Sequence, residues 1–184
     1  MTTYRAPLRD MQFALGEIAG LGGVAALPGY EDATAELADA ILEAAAKLAS
    51  DVLSPPNKSG DQQGASLSAE GVVAASGFAS AYRSFVAGGW NSLGGDPAFD
   101  GQGLPALVPA AAVEMWNSAN MSFALCPLLT AGAIEAIKAH ASEELKQKYL
   151  KKTGHWRMDR DDEPDRAPGG FGSGGGAQQS GPGR

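Results

Sequence analysis

Leu8, Met11, Leu15 and Ile18 recur at spacings of three and four, with Arg9, Asp10 and Glu17 between them. That pattern predicts an amphipathic helix opening at Pro7, where a missing N–H costs nothing, and closing at Gly20-Leu21-Gly22-Gly23. A second helix is expected from an N-cap at Asp32 to about Leu53. Leu37, Ile41, Leu48 and Val52 form its apolar stripe, Ala38, Leu42, Ala45 and Ala49 lie beside it, and Glu43 and Lys47 make a supporting pair on the wet side. Pro55-Pro56 is expected to end it. Residues 54–75 read as a polar connection with two short extended pieces, 65–68 and 72–75, turning at Glu70-Gly71. Phe78, Tyr82, Phe85 and Val86 mark a third helix stopped by Gly88-Gly89, and a glycine-rich loop spans 90–103. Two further helices follow over 105–118 and 122–139, with Met115, Trp116, Leu125, Leu129, Ile134 and Ile137 as core candidates. Ser142 then caps a last short helix ending near Leu150, with Glu143 and Glu144 at its positive end and Lys146 and Lys148 near its finish. The expected class is all-α: a helical bundle with one small extended insert.

Beyond Leu150 the apolar period vanishes, and the glycine run 169–176 reads as a disordered tail. Over the whole chain of 184 residues, 14 basic against 21 acidic side chains give a net charge of −7, which argues against a phosphate-backbone partner. An apolar share of 44% is enough for a core, which excludes wholesale disorder. The opening residues lack the apolar run of a signal peptide, and the longest apolar stretch, 121–137, is interrupted by Ser122, Pro127, Thr130, Gly132 and Glu135. The expectation is therefore no nucleic acid, no membrane and a cytoplasmic setting.

Candidate chemistry is thin. Gly170-Phe171-Gly172-Ser173-Gly174-Gly175 fits the dinucleotide fingerprint, but it has neither the strand before nor the helix after that would place pyrophosphate at a helix N-terminus. A single cysteine, Cys126, lies between Leu125 and Pro127 and reads as a buried structural thiol rather than a nucleophile. His140 reads as a helix-end residue, Trp90 and Trp116 as packing residues, and Asp96 and Asp100 as turn formers. With two histidines and one cysteine, no metal-ligand spacing is present. Residue chemistry by itself shows no catalytic constellation.

Three stretches together resemble the acyl-CoA dehydrogenase family. Tyr4-Arg5-Ala6-Pro7-Leu8-Arg9-Asp10-Met11 resembles the N-terminal extension of its 3-methylmercaptopropionyl-CoA dehydrogenase-like branch. Gly89-Trp90-Asn91-Ser92-Leu93 through Gly101-Gln102-Gly103-Leu104-Pro105 resembles the family's loop between early helices. Glu114-Met115-Trp116-Asn117-Ser118-Ala119-Asn120-Met121 with Leu125-Cys126-Pro127-Leu128-Leu129-Thr130 is similar to that branch's helix pair. The resemblance covers about residues 4–150. It implies an N-terminal extension over 1–35, the family's N-terminal helical domain over 36–150, and a foreign tail over 151–184.

It also implies a chemistry, the FAD-dependent α,β-dehydrogenation of an acyl-CoA thioester. In that chemistry a glutamate takes the α-proton while the β-hydrogen leaves as hydride to the flavin. The family places its flavin-binding β-domain and the glutamate beyond this helical part. The expectations that follow are no catalytic and no flavin-binding residue in this chain, no retained FAD, and no activity by itself. Homo-oligomerisation is a property of the intact family. Leu125, Leu128, Leu129 and Gly132 correspond to the helix lining the acyl-chain pocket. Plain packing is the competing reading of those four residues.

The tail carries a further signal. Read one base later, degenerate codons for His155-Trp156-Arg157-Met158 force a glycine, permit a glutamate and force a tryptophan. The codons from Met158 to Ser173 then permit Thr-Gly-Thr-Met-Asn-Leu-Thr-Glu-Pro-Gln-Ala-Gly-Ser-Asp, which resembles the family's flavin-contacting motif. This points to a frameshift near Lys151 and Lys152. The rival readings are a free-standing helical interaction module with a flexible Gly-rich tail, and a nonfunctional translation product. The nucleotide sequence separates them.

Overall fold

The computed structural model describes residues 4–69 and 71–154, the last four by backbone only. The architecture is helical, with one two-stranded insert. In chain order it comprises α1 (Leu8–Phe13), α2 (Leu21–Ala25), α3 (Ala35–Leu48), α4 (Pro55–Gln63), β1 (Ser66–Ser68), β2 (Gly71–Val73), α5 (Phe78–Ala87), α6 (Leu107–His140) and α7 (Glu143–Gly154). The all-α class with a small extended insert is therefore what the chain adopts.

The core forms where α3 meets α6, sealed by α5 on one side and by the N-terminal segment on the other. Leu42, Ala45, Ala49, Leu53, Ala112 and Met115 are fully buried there. Alanines at this seam let the two helices approach closely, and the leucines and methionine fill the remaining volume. This shifts the buried stripe of α3 from its expected centre. Ala38, Leu42, Ala45 and Ala49 are innermost, whereas Ile41 and Val52 are half-buried and Leu37 is exposed. Bulk misled the sequence reading, because close helix packing selects small residues rather than large ones.

Two helices continue into π-type turns, Ala14–Ile18 after α1 and Ala49–Leu53 after α3. A π turn winds more loosely than an α turn, so it rotates later side chains off the original face. Ile18, expected beside Met11 and Leu15, is accordingly 74% exposed while those two are buried. In α3 the same loosening carries Leu53 into the core.

Several boundaries move for identifiable reasons. The N-cap of α3 is Thr34, not Asp32: its side chain accepts from Leu37 N–H at 3.2 Å. Glu36, in the first turn, is held below the usual carboxylate range by its own backbone N–H and the Thr34 hydroxyl. Pro55-Pro56 does not end the helical path but opens α4, since prolines at the first helical positions sacrifice no hydrogen bond. Gly60 in α4 lets the Phe78 ring lie against its backbone, where a Cβ would collide. The hairpin pairs Leu67 with Val72 and Ser66 with Val73 in antiparallel register, close to expectation; Glu70 lies outside the described residues. Glu43 and Lys47 form no ion pair; among the described residues the one salt bridge is Lys146 Nζ to Glu143 Oε1, at 2.8 Å. Both side chains of the expected pair stand in solvent, where holding them together gains little.

The two expected helices after the loop are the two halves of α6, which breaks at Asn120 (φ −160°, ψ 89°). Asn120 is 1% exposed and makes two bonds. Its Oδ1 accepts from Phe123 N–H at 3.1 Å, capping the second half, and its Nδ2 donates to the Leu53 carbonyl at 3.0 Å. That carbonyl needs an outside donor, because the Asn57 N–H that an α-helix would supply bonds Ser54 instead. Phe85 braces the break from α5, with ring centroids 4.8 Å from Trp116 in the first half and 5.7 Å from Phe123 in the second. By length and composition α6 is long and apolar enough to cross a membrane, contrary to expectation. The interrupting residues lower its hydropathy less than anticipated. Its first half is nevertheless spent on the core.

Ser142 caps α7 as expected, its Oγ accepting from Leu145 N–H at 3.4 Å, and the helix runs to Gly154 rather than ending near Leu150. The tail expected to be disordered, its glycine fingerprint and the stretch expected to be frame-shifted lie outside the described residues.

Asn120→Leu keeps the volume and strands two buried backbone groups, so it is expected to destabilise by about 3 kcal/mol in urea melts. Asn120→Asp keeps the acceptor for Phe123 but aims an acceptor at the Leu53 carbonyl, and should cost at least as much at pH 7. A wild-type midpoint for the aspartate variant would show that the bond to Leu53 contributes nothing.

Candidate functional site

Leu125, Leu128, Leu129 and Gly132 lie together on the second half of α6. The turn-by-turn spacing of Leu125, Leu128, Leu129 and Gly132 puts them along one side of the helix, and Met121 extends the row. Leu125 is 51% exposed, Leu128 48% and Leu129 76%. Around Gly132 a Cβ would meet nothing within 4 Å. Leu125 and Leu129 are thus not core residues, contrary to one expectation, and Ile134 and Ile137 are only half-buried. The reason is the break at Asn120: the turn it introduces sends Phe123, Ala124 and Pro127 inward and leaves the leucines outward. Among the described residues nothing packs closely over the four, and they form an exposed apolar strip.

Cys126 is also exposed, which corrects the expectation of a buried thiol; its neighbour Pro127 takes the inward position. The charge of an ionised Cys126 bears on Tyr82, whose phenol is pushed above the usual tyrosine range. Burial is the larger cause, Cys126 adds to it, and the nearby Asn91 amide opposes both. Tyr4 is raised in the same way, by burial first, eased by a hydrogen bond with Ser118 and increased by Glu114. His140 occupies the last turn of α6, exposed, as expected.

The glycine-rich loop is a closed structure rather than a ligand cradle. The Ser92 carbonyl accepts from Gly95 and Gln102 N–H, Gly103 N–H donates to Gly95, and Leu104 N–H donates to Leu93. Gly101 crosses so close to Gly95 that no Cβ fits between them. Asp96 serves its turn by accepting from Ala98 N–H at 2.9 Å, and Asp100 adopts a left-handed conformation (φ 65°), both as expected of turn formers. With these amides bonded internally, the loop has few left to offer a phosphate. Trp90 packs edge-on against Trp116 at 5.6 Å, a packing role as anticipated. Buried Trp116 Nε1 finds no acceptor among the described residues.

The cavity beneath the loop, lined by Asn91, Asp96, Phe99, Ile134, Lys138 and Leu150, has a volume of about 20 Å³, which is room for one water. An open groove of about 500 Å³ runs past Asp51, Pro55, Ser59, Ser76, Ser80 and Ser84, with no cation along it to meet a pyrophosphate. No group of three metal-ligating side chains occurs among the described residues.

Comparison with known proteins gives the fold its context. Residues 35–155 match the family described as acyl-CoA dehydrogenase, N-terminal domain. The chain is 42% identical over 156 residues to the 3-methylmercaptopropionyl-CoA dehydrogenase of Ruegeria pomeroyi, covering 84% of this chain and 26% of that protein. It is 31% identical over 159 residues to a butyryl-CoA dehydrogenase of Syntrophomonas wolfei, covering 83% and 26% respectively. The chain spans about a quarter of the length of these relatives.

Three outcomes test the site's geometry. Native Cys126 should react with a thiol reagent such as DTNB as fast as in denaturant, whereas a buried thiol would react only on unfolding. Leu129→Ser should leave the melting midpoint within the usual spread of surface changes, while Leu42→Ala should cost about 2–5 kcal/mol. Alkaline titration should also destabilise the fold. The raised phenols of Tyr4 and Tyr82 hold protons that the unfolded chain gives up first, so their stabilisation is intact below about pH 10 and falls as pH climbs past it. Tyr82→Phe should flatten that decline in pH-dependent urea melts.

The family match over 35–155 and the shared identity along the same helices agree with the fold, and the chain belongs to the acyl-CoA dehydrogenase family.

Proposed function

We propose that this chain supplies the N-terminal helical domain of an FAD-dependent acyl-CoA dehydrogenase, which oxidises the α,β bond of an acyl-CoA thioester. The observation that carries the proposal is the 42% identity over 156 residues to a 3-methylmercaptopropionyl-CoA dehydrogenase, which makes that thioester the first substrate to test. In this reading Leu125, Leu128, Leu129 and Gly132 form one wall of the acyl pocket. Their exposure supports it: an apolar wall that its own domain leaves open suits a pocket closed by further polypeptide. The flavin and the catalytic glutamate belong to that further polypeptide, and no described residue is assigned to either role. The active form is a homo-oligomer in the cytoplasm.

The same reading makes the residues after Lys152 the product of a shifted frame. What supports it is that the shifted codons from His155 to Ser173 permit a continuous family-like motif. The 184 residues by themselves are then inactive.

Two experiments follow. The purified chain, mixed anaerobically with 3-methylmercaptopropionyl-CoA or butyryl-CoA and FAD, should neither hold flavin through gel filtration nor bleach its visible band. A yellow, bleachable protein would refute the claim of inactivity. The gene should carry one base gained or lost near the codons for Lys151 and Lys152. Restoring that frame should yield a yellow oligomer with acyl-CoA dehydrogenase activity, and in it Leu129→Glu should raise KM for the acyl-CoA. Downstream DNA with no open frame for a β-domain would end the frameshift reading and favour the interaction module with a Gly-rich tail.

A further inference from the structure

We draw no further inference here: the strongest candidate, the exposed apolar strip on the second half of α6 carrying Met121, Leu125, Leu128 and Leu129, belongs to the site already described, and nothing in the structure shows what else covers it.

Discussion

One buried amide ties the two longest helical paths together. Asn120 caps the second half of α6 with its oxygen and, with its nitrogen, satisfies a carbonyl that the end of α3 leaves open. Neither bond has a substitute nearby in water, since the side chain is 1% exposed. A single residue thereby fixes where α6 turns, at what point along α3 it turns, and which side chains of its second half face outward. A buried polar group that meets its own needs and those of two backbone groups specifies a geometry more sharply than apolar contact does.

Much of this was legible in the sequence. Helical periods placed α1, α3, α5 and both halves of α6, and Asn117, Ser118 and Asn120 are weak helix formers close together where a break is natural. The Ser142 cap and the turn roles of Asp96 and Asp100 follow from local chemistry and were read correctly. What failed depends on partners distant in the chain. The preference of the α3 seam for Ala38, Ala45 and Ala49 over Leu37 and Ile41 is decided by the closeness of α6. Gly60 earns its place through Phe78, eighteen positions further on, and no local signal announces that contact. The two π turns have no signature in hydrophobic spacing, and they displaced Ile18 from its expected face.

The candidate site divides in the same way. Resemblance singled out Leu125, Leu128, Leu129 and Gly132 as candidates, because a family pattern carries position along with identity. Their exposure was not legible, since an apolar residue on a helix reads as core until its surroundings are known. Cys126 shows the same limit: apolar neighbours in sequence said buried, yet the helix turns Pro127 inward and the thiol out.

The N-terminal segment carries a consequence for anyone cutting this gene. The family's own domain begins at residue 35, yet Met11, Leu15 and Leu21 belong to the same cluster as Leu42 and Met115. Tyr4 reaches further still, its N–H donating to Ser54 Oγ at 3.4 Å. An expression boundary drawn at 35 would pull three plugs from a finished interior and open a greasy trench along α3. The packed unit is therefore longer than the one a family alignment outlines, and among the described residues it begins at Tyr4.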